Sequence, residues 1–451
     1  MVSVDRRRIA ELTERERERF AASHPRSREH HERAQASLLS GVPMNWMTRW
    51  PGPFPVFLDA ATGAELIDVD GNVYADLCLG DTGAMTGHSP APTVAAVTER
   101  VARGITAMLP TEDAIAVGEE MQRRFGLRDW QFTLSATDAN RFVVRIAREI
   151  TGRPRILVHN HCYHGSVDET VTTLADGEVR PRAGNVGPPV DPAQTTRVVE
   201  INDLEALERG LAHRDVACVL VEPALTNIGI VLAEPAYHDR LRALTRETET
   251  LLVIDETHTL CCGPGGYTAA NGLEPDMLTI GKAIGGGVPI GAYGFTAEVA
   301  ERIAAHTFWE AADVGGVGGT LAGNALSLAA ARATLGQVLT AEAFDRMIGL
   351  AERFESGVVE AIAAHELPWS VTRLGCRVEY MFSPSPPRTG GEAAAALDPE
   401  LDALLHLQML NRGVLLTPFH MMALMSPSTT EAHVDRHTAA FEEITAELAG
   451  G

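Results

Sequence analysis

Leu251-Leu252-Val253-Ile254-Asp255-Glu256 is an apolar, largely branched run that stops on two carboxylates. A short continuous apolar run reads as a strand buried on both faces, as in a parallel sheet covered by helices. Upstream, 216–221 (Val-Ala-Cys-Val-Leu-Val) repeats the pattern, with helical spacing at 203–212 and 236–249 on either side of the gap. Further back, strands are expected at 131–134 and 155–159, and helices at 94–105, 114–125 and 138–151. This strand–helix alternation predicts an α/β fold with a large, mostly parallel sheet. Ligands of such sheets sit at the carboxyl ends of the strands. Asp255 stands at one, and a buried carboxylate there needs a cationic partner.

Downstream lies Thr279-Ile280-Gly281-Lys282-Ala283-Ile284-Gly285-Gly286-Gly287, which contains the only lysine of the chain. The other 37 of its 38 basic residues are arginine. A guanidinium stays protonated, whereas a desolvated ammonium can become a nucleophilic amine. The flanks are apolar and glycyl, unlike a solvated surface. Lys282 therefore reads as a residue kept for its amine, suited to forming a Schiff base.

Three further segments carry possible chemistry. Ser135-Ala136-Thr137-Asp138 joins a strand to a helix; it suits a phosphate at a helix N-terminus, or simple capping by Thr137 or Asp138. Tyr163, in Cys162-Tyr163-His164-Gly165, follows a strand and could stack on a flat ring or merely pack. Gly318-Gly319-Thr320 reads as the opening of another helix, running to about 338, and as a second phosphate contact. A lysine for an aldehyde, an acid for a ring nitrogen, an aromatic and a phosphate cup are together the needs of pyridoxal 5'-phosphate (PLP).

The chain resembles the class III PLP-dependent aminotransferases, nearest in pattern to glutamate semialdehyde aminomutases and β-amino-acid aminotransferases. Asp70-Gly71-Asn72, Gly87-His88, Tyr163-His164-Gly165, Glu222-Pro223, Asp255-Glu256, Lys282, the run Gly319 to Asn324, and Arg412-Gly413-Val414 before Pro418 fall in family order. The resemblance implies a fold type I PLP-dependent transferase acting as a homodimer with shared active sites. In it Lys282 holds the cofactor and moves the proton, and Asp255 pairs with the ring nitrogen. Tyr163 stacks on the ring, Ser135, Ala136 and Thr137 form the phosphate cup, and Asn227 lies near the ring hydroxyl. Thr320 reaches the phosphate from the other subunit. Thr257 stands where the family has an aliphatic residue beneath the ring, and His258 follows it. Trp46 and Phe419 stand where relatives carry carboxylate-binding arginines, with Arg49 and His420 close by in sequence. The implied activity is ping-pong transfer of an amino group from an amine or amino-acid donor to a keto acid, with a pocket leaning to bulky, apolar donors. The alternatives are an intramolecular aminomutase and a non-catalytic PLP-binding protein.

Bulk properties bound the rest. The 451 residues suffice for two domains or so. The expected division is an N-terminal segment, 1–80, contributing to a small domain and the active-site rim; a large PLP-binding domain, 81–335; and a small α+β domain, 336–451. The net charge of −22 argues against nucleic acid or an anionic membrane as partner. The six cysteines form no CxxC pair and no metal-ligand spacing, so no metal is expected. With neither a secretory signal nor a long apolar span, a cytoplasmic location with reduced thiols is expected.

Overall fold

The computed structural model describes residues 5–188, 190–306 and 314–450. These form two compact units.

The first unit comprises Met1–Pro90, Asp345–Pro386 and Ala396–Gly451. Helices Arg6–Ser23 and Pro25–Ala34 open it. Pro25 begins the second because a first-turn N–H has no intrahelical partner to lose. Strands Glu65–Asp68 and Val73–Asp76 pair antiparallel around Asp70-Gly71-Asn72. Gly71 takes a φ of +90° there, and Asp68 accepts from the backbone N of Asp70 and Asn72 at 2.9 and 2.8 Å. Strands Leu58–Thr62 and Val414–Leu415 complete that sheet. A second sheet orders Ser370–Leu374, Arg377–Met381 and Met422–Leu424. Helices Pro399–Asn411 and Glu431–Ala449 bury apolar residues, among them Leu404, Leu405, Phe441 and Ile444.

The second unit comprises Ala91–Phe344 and Pro387–Ala395. Its sheet has seven strands, in the order Asp129–Thr133, Gly291–Phe295, Met277–Ile280, Leu251–Asp255, Val216–Val221, Arg155–His159, Thr196–Val199. Only Gly291–Phe295 runs against the others. All six residues of Val216–Val221 and all five of Leu251–Asp255 are buried, which accounts for their unbroken apolar sequences.

The domain bounds differ from those expected. The large unit begins at Ala91 and extends beyond 335, because the helix Ala325–Ala333 continues as a π-turn, Thr334–Val338, that bonds Thr93 through Thr334 (2.9 Å). Pro387–Ala395 joins the large unit: Gly391 N donates to Glu200, and Asn202 donates to the Arg388 carbonyl at 2.8 Å. Among the described residues no helix is long and apolar enough to cross a membrane, and no side-chain cluster has the makings of a metal site.

Candidate active site

Asp255 ends the middle strand of the seven and is 2% exposed. Its Oδ2 accepts from Asn140 Nδ2 at 2.8 Å and pairs with His164 Nδ1 at 2.9 Å; its Oδ1 accepts from Thr257 N at 3.0 Å. Burial alone would raise its pKa, but the bonds from His164, Thr257 and Asn140 outweigh burial and hold it below the usual carboxylate value. Burial likewise opposes charge on His164, yet Cys162 and the Asp255 carboxylate prevail, and its pKa stands well above that of ordinary histidine. Asp255 and His164 thus form a buried, hydrogen-bonded pair. Asn140 is fixed in turn by Thr279, whose hydroxyl donates to its Oδ1 at 2.6 Å. Thr279 lies opposite Asp255 in the parallel ladder, three residues before Lys282.

Lys282 follows the strand Met277–Ile280 in a left-handed conformation, φ +51°. For a non-glycine residue that conformation costs about 1–3 kcal/mol. Its Nζ lies 2.7 Å from His258 Nε2. His258 is itself 4% exposed. Gly281, just before, presses on the phosphate-type turn: a Cβ there would sit 2.9 Å from Ala136 Cβ and 3.0 Å from Ala136 N. The extra methyl of Ala136 is accommodated because residue 281 has none.

Ser135 caps the helix Ala136–Thr151 by accepting from Asp138 N at 3.2 Å, so the cap is Ser135 rather than Thr137 or Asp138. Thr137 Oγ1 instead accepts from Ser166 N at 3.2 Å. Gly165 lies so close that a Cβ would fall 2.0 Å from that oxygen, and its φ of +77° also favours glycine. First-turn N–H groups have no intrahelical acceptors and attract anions. Tyr163 is 40% exposed and its backbone N donates to Glu222 at 3.0 Å. The Thr257 hydroxyl is buried beside Asp255.

Other expectations fare differently. Thr320 does not open a helix. It is exposed in a turn, and the helix starts only at Ala325, capped by Asn324 accepting from Ser327 N at 2.9 Å. Gly318-Gly319 offers no capping oxygen; Asn324 does. Asn227 is half-buried in the loop closed by the Leu225–Val231 bridge and bonds none of the other candidates. Glu256 is structural, accepting from Thr259, Tyr267 N and Thr268 N.

In the first unit the rings of Trp46 and Phe419 meet edge to face, centroids 5.6 Å apart at 86°. The two positions expected to have lost an arginine are thus neighbours. Phe419 also stacks on His420 at 4.9 Å, and His420 Nδ1 is held by Glu379 at 2.7 Å. Arg49 is exposed on the short helix Asn45–Arg49. Asn140 and the Lys282–His258 contact were not singled out from sequence. A buried asparagine on the apolar face of the helix Ala136–Thr151 was the available signal for the first.

The model of the family described as aminotransferase class-III matches residues 46–445. The chain belongs to that family. Family membership makes it a PLP-dependent enzyme with the α/β fold of this class. The class-III chain is 33% identical to a glutamate-1-semialdehyde 2,1-aminomutase of Anaeromyxobacter sp. (strain Fw109-5), over 89% of this chain and 93% of that one. A glutamate-1-semialdehyde-aminomutase structure from Pseudomonas aeruginosa PAO1 has a TM-score of 0.97 at 48% identity, covering 99% of this chain and 100% of that one. A β-phenylalanine aminotransferase from Variovorax paradoxus gives 0.85 at 26%, covering 97% of each chain. The residues of this class-III chain fit PLP: a single side-chain amine, a buried carboxylate suited to a ring nitrogen, and a helix N-terminus cradled by Gly165 and Gly281.

Proposed function

We propose that this enzyme shifts an amino group between positions of one substrate, as an aminomutase does, and works as a homodimer in the cytoplasm. The observation carrying this reading is the 48% identity across 99% of the chain to a protein described as an aminomutase, with a second such relative at 33%. The sequence alone favours transfer between two molecules; these relatives support the reverse order.

PLP, when bound, supplies an electron sink for a carbanion next to nitrogen. The chain supplies the rest. The Ser135–Ala136–Thr137 turn would hold the phosphate, with Thr320 of the second protomer as a further contact. Asp255, whose carboxylate form is favoured by the bonds from His164, Thr257 and Asn140, would pair with the ring nitrogen and favour its protonated form. Tyr163 and Asn227 would contribute to holding the ring, Tyr163 by offering its aromatic face. Lys282 Nζ takes a proton from one carbon and returns it at another. The six cysteines are free thiols, in keeping with a reducing compartment.

A second reading, transfer from an apolar amine to a keto acid, is favoured by the Trp46–Phe419 pair. Two aromatic rings offer a substrate apolar area worth ~25 cal/mol per Å² on burial and no guanidinium fork for a carboxylate. The test supplies glutamate-1-semialdehyde, and separately an aryl-substituted amino-aldehyde, as the only substrate. Isomerisation without added keto acid supports the first reading. Amine loss that requires pyruvate or 2-oxoglutarate establishes the second instead.

A further inference from the structure

The contact between Lys282 Nζ and His258 Nε2 is 2.7 Å, within hydrogen-bond range. A bond between two nitrogens needs one donor and one acceptor. Two protonated groups cannot make it. A histidine with one ring nitrogen protonated can accept from an ammonium or donate to an amine, so the contact survives movement of a single proton across it. His258 is 4% exposed, which shields that exchange from bulk water. It lies beyond Asp255 on the same strand exit, with the backbone N of Thr257 bonded to Asp255. Lys282 approaches from the next strand, its left-handed φ of +51° directing it from the turn.

We propose that His258 is the proton acceptor and positioning residue for Lys282. In the step assigned to it, an N–H bond at Lys282 Nζ breaks and its electron pair stays on Nζ. The proton forms a bond to His258 Nε2, which becomes imidazolium. Nζ is then a neutral amine able to attack an aldehyde. The reverse step returns the proton when Nζ is displaced. No redox partner is involved. This inference rests on the reading of Lys282 as the cofactor-binding residue.

The single lysine provides a readout independent of turnover. The full chain, freed of cofactor, is mixed with PLP, and capture is followed by absorbance; borohydride then fixes the adduct for peptide mapping. Wild type, His258→Ala and His258→Gln are compared, each with and without added imidazole. The expected result is capture slowed about 10²-fold or more in both variants, the scale of a positioned acid–base group, with imidazole restoring much of the rate in His258→Ala. Glutamine keeps a hydrogen bond but cannot take the proton, so it separates proton transfer from support. Capture at the wild-type rate in His258→Ala overturns the proposal. So does full recovery in His258→Gln, which reduces His258 to a spacer. Wild-type capture on Lys282 with unaltered variants leaves the functional reading standing and removes this one. Failure of the wild type to fix PLP on Lys282 removes both.

Discussion

Lys282 combines the chain's only side-chain amine with a left-handed backbone and a histidine at 2.7 Å. Borohydride treatment of the holoenzyme should attach one cofactor per chain, on the peptide containing Lys282. Lys282→Arg should abolish both that adduct and turnover, because a guanidinium does not deprotonate. An adduct elsewhere would refute the assignment. Asp255→Asn should retain PLP but lower kcat roughly 10²–10³-fold, the scale of one preorganised electrostatic group. Near-normal kcat in that variant would remove Asp255 from its role. At this scale residue type points to Lys282 and Asp255 from the sequence alone, and the structure sets them at the ends of adjacent buried strands. The sequence was silent on Asn140 and His164 as partners of Asp255. They stand 115 and 91 positions away, and no local pattern encodes such a pairing.

Between elements, the closest fit is the turn at 135–137. Gly281→Ala would set a Cβ within 3.0 Å of Ala136 N, forcing either the helix start or Lys282 to move. Overpacking of this kind costs about 1–3 kcal/mol. PLP affinity, measured by titration of the cofactor-free chain, should fall about tenfold or more; an unchanged affinity would show that the turn yields freely. The helix Pro399–Asn411 offers a pH test. Burial, assisted by Glu379 and Asp398 against His420, pushes Asp402 up to about 7. A carboxylate raised on folding binds its proton more tightly in the folded state. Its contribution is full below the unfolded value near 4 and is lost as pH rises through about 7. Asp402→Asn should therefore stabilise the protein by about 1–2 kcal/mol at pH 8 and have little effect at pH 4, read from urea midpoints. Equal effects at both pH values would refute this. The fully buried strands were legible in the sequence because a short, unbroken, branched apolar run suits a strand covered on both faces better than a half-exposed one. The strand Gly291–Phe295 was not. Its Gly-Ala-Tyr-Gly-Phe lacks branched residues, and Gly291 is required by contact with Ser135, where a Cβ would meet the carbonyl oxygen at 2.4 Å. The misplaced helix start at Thr320 has a related cause: paired glycines resemble a phosphate loop but do not cap.

For the whole molecule, light scattering of the active enzyme should report twice the chain mass. Thr320→Ala should weaken PLP binding without altering that mass, if Thr320 serves the other protomer's phosphate. Full activity from a stable monomer would overturn the homodimer. The two-part α/β organisation could be read from strand and helix spacing, but its seams could not. Pro387–Ala395 belongs to the large unit through bonds to Glu200 and Asn202, nearly 200 residues earlier in the chain. The glycines around the 135–137 turn carry a further consequence, for how this enzyme can diversify. Gly165, Gly281 and Gly291 come from three separate stretches and leave no room for even a methyl group against that turn. A lineage descending from this chain has almost no accessible single steps at those sites. Trp46 and Phe419 meet through ring edges, 5.6 Å between centroids, with no glycine clamp between them. On the expectation that these two positions select the substrate, drift at 46 and 419 is the easier route to new substrates. A randomised library confined to those two codons should yield more active members than one of equal size spread over the three glycines.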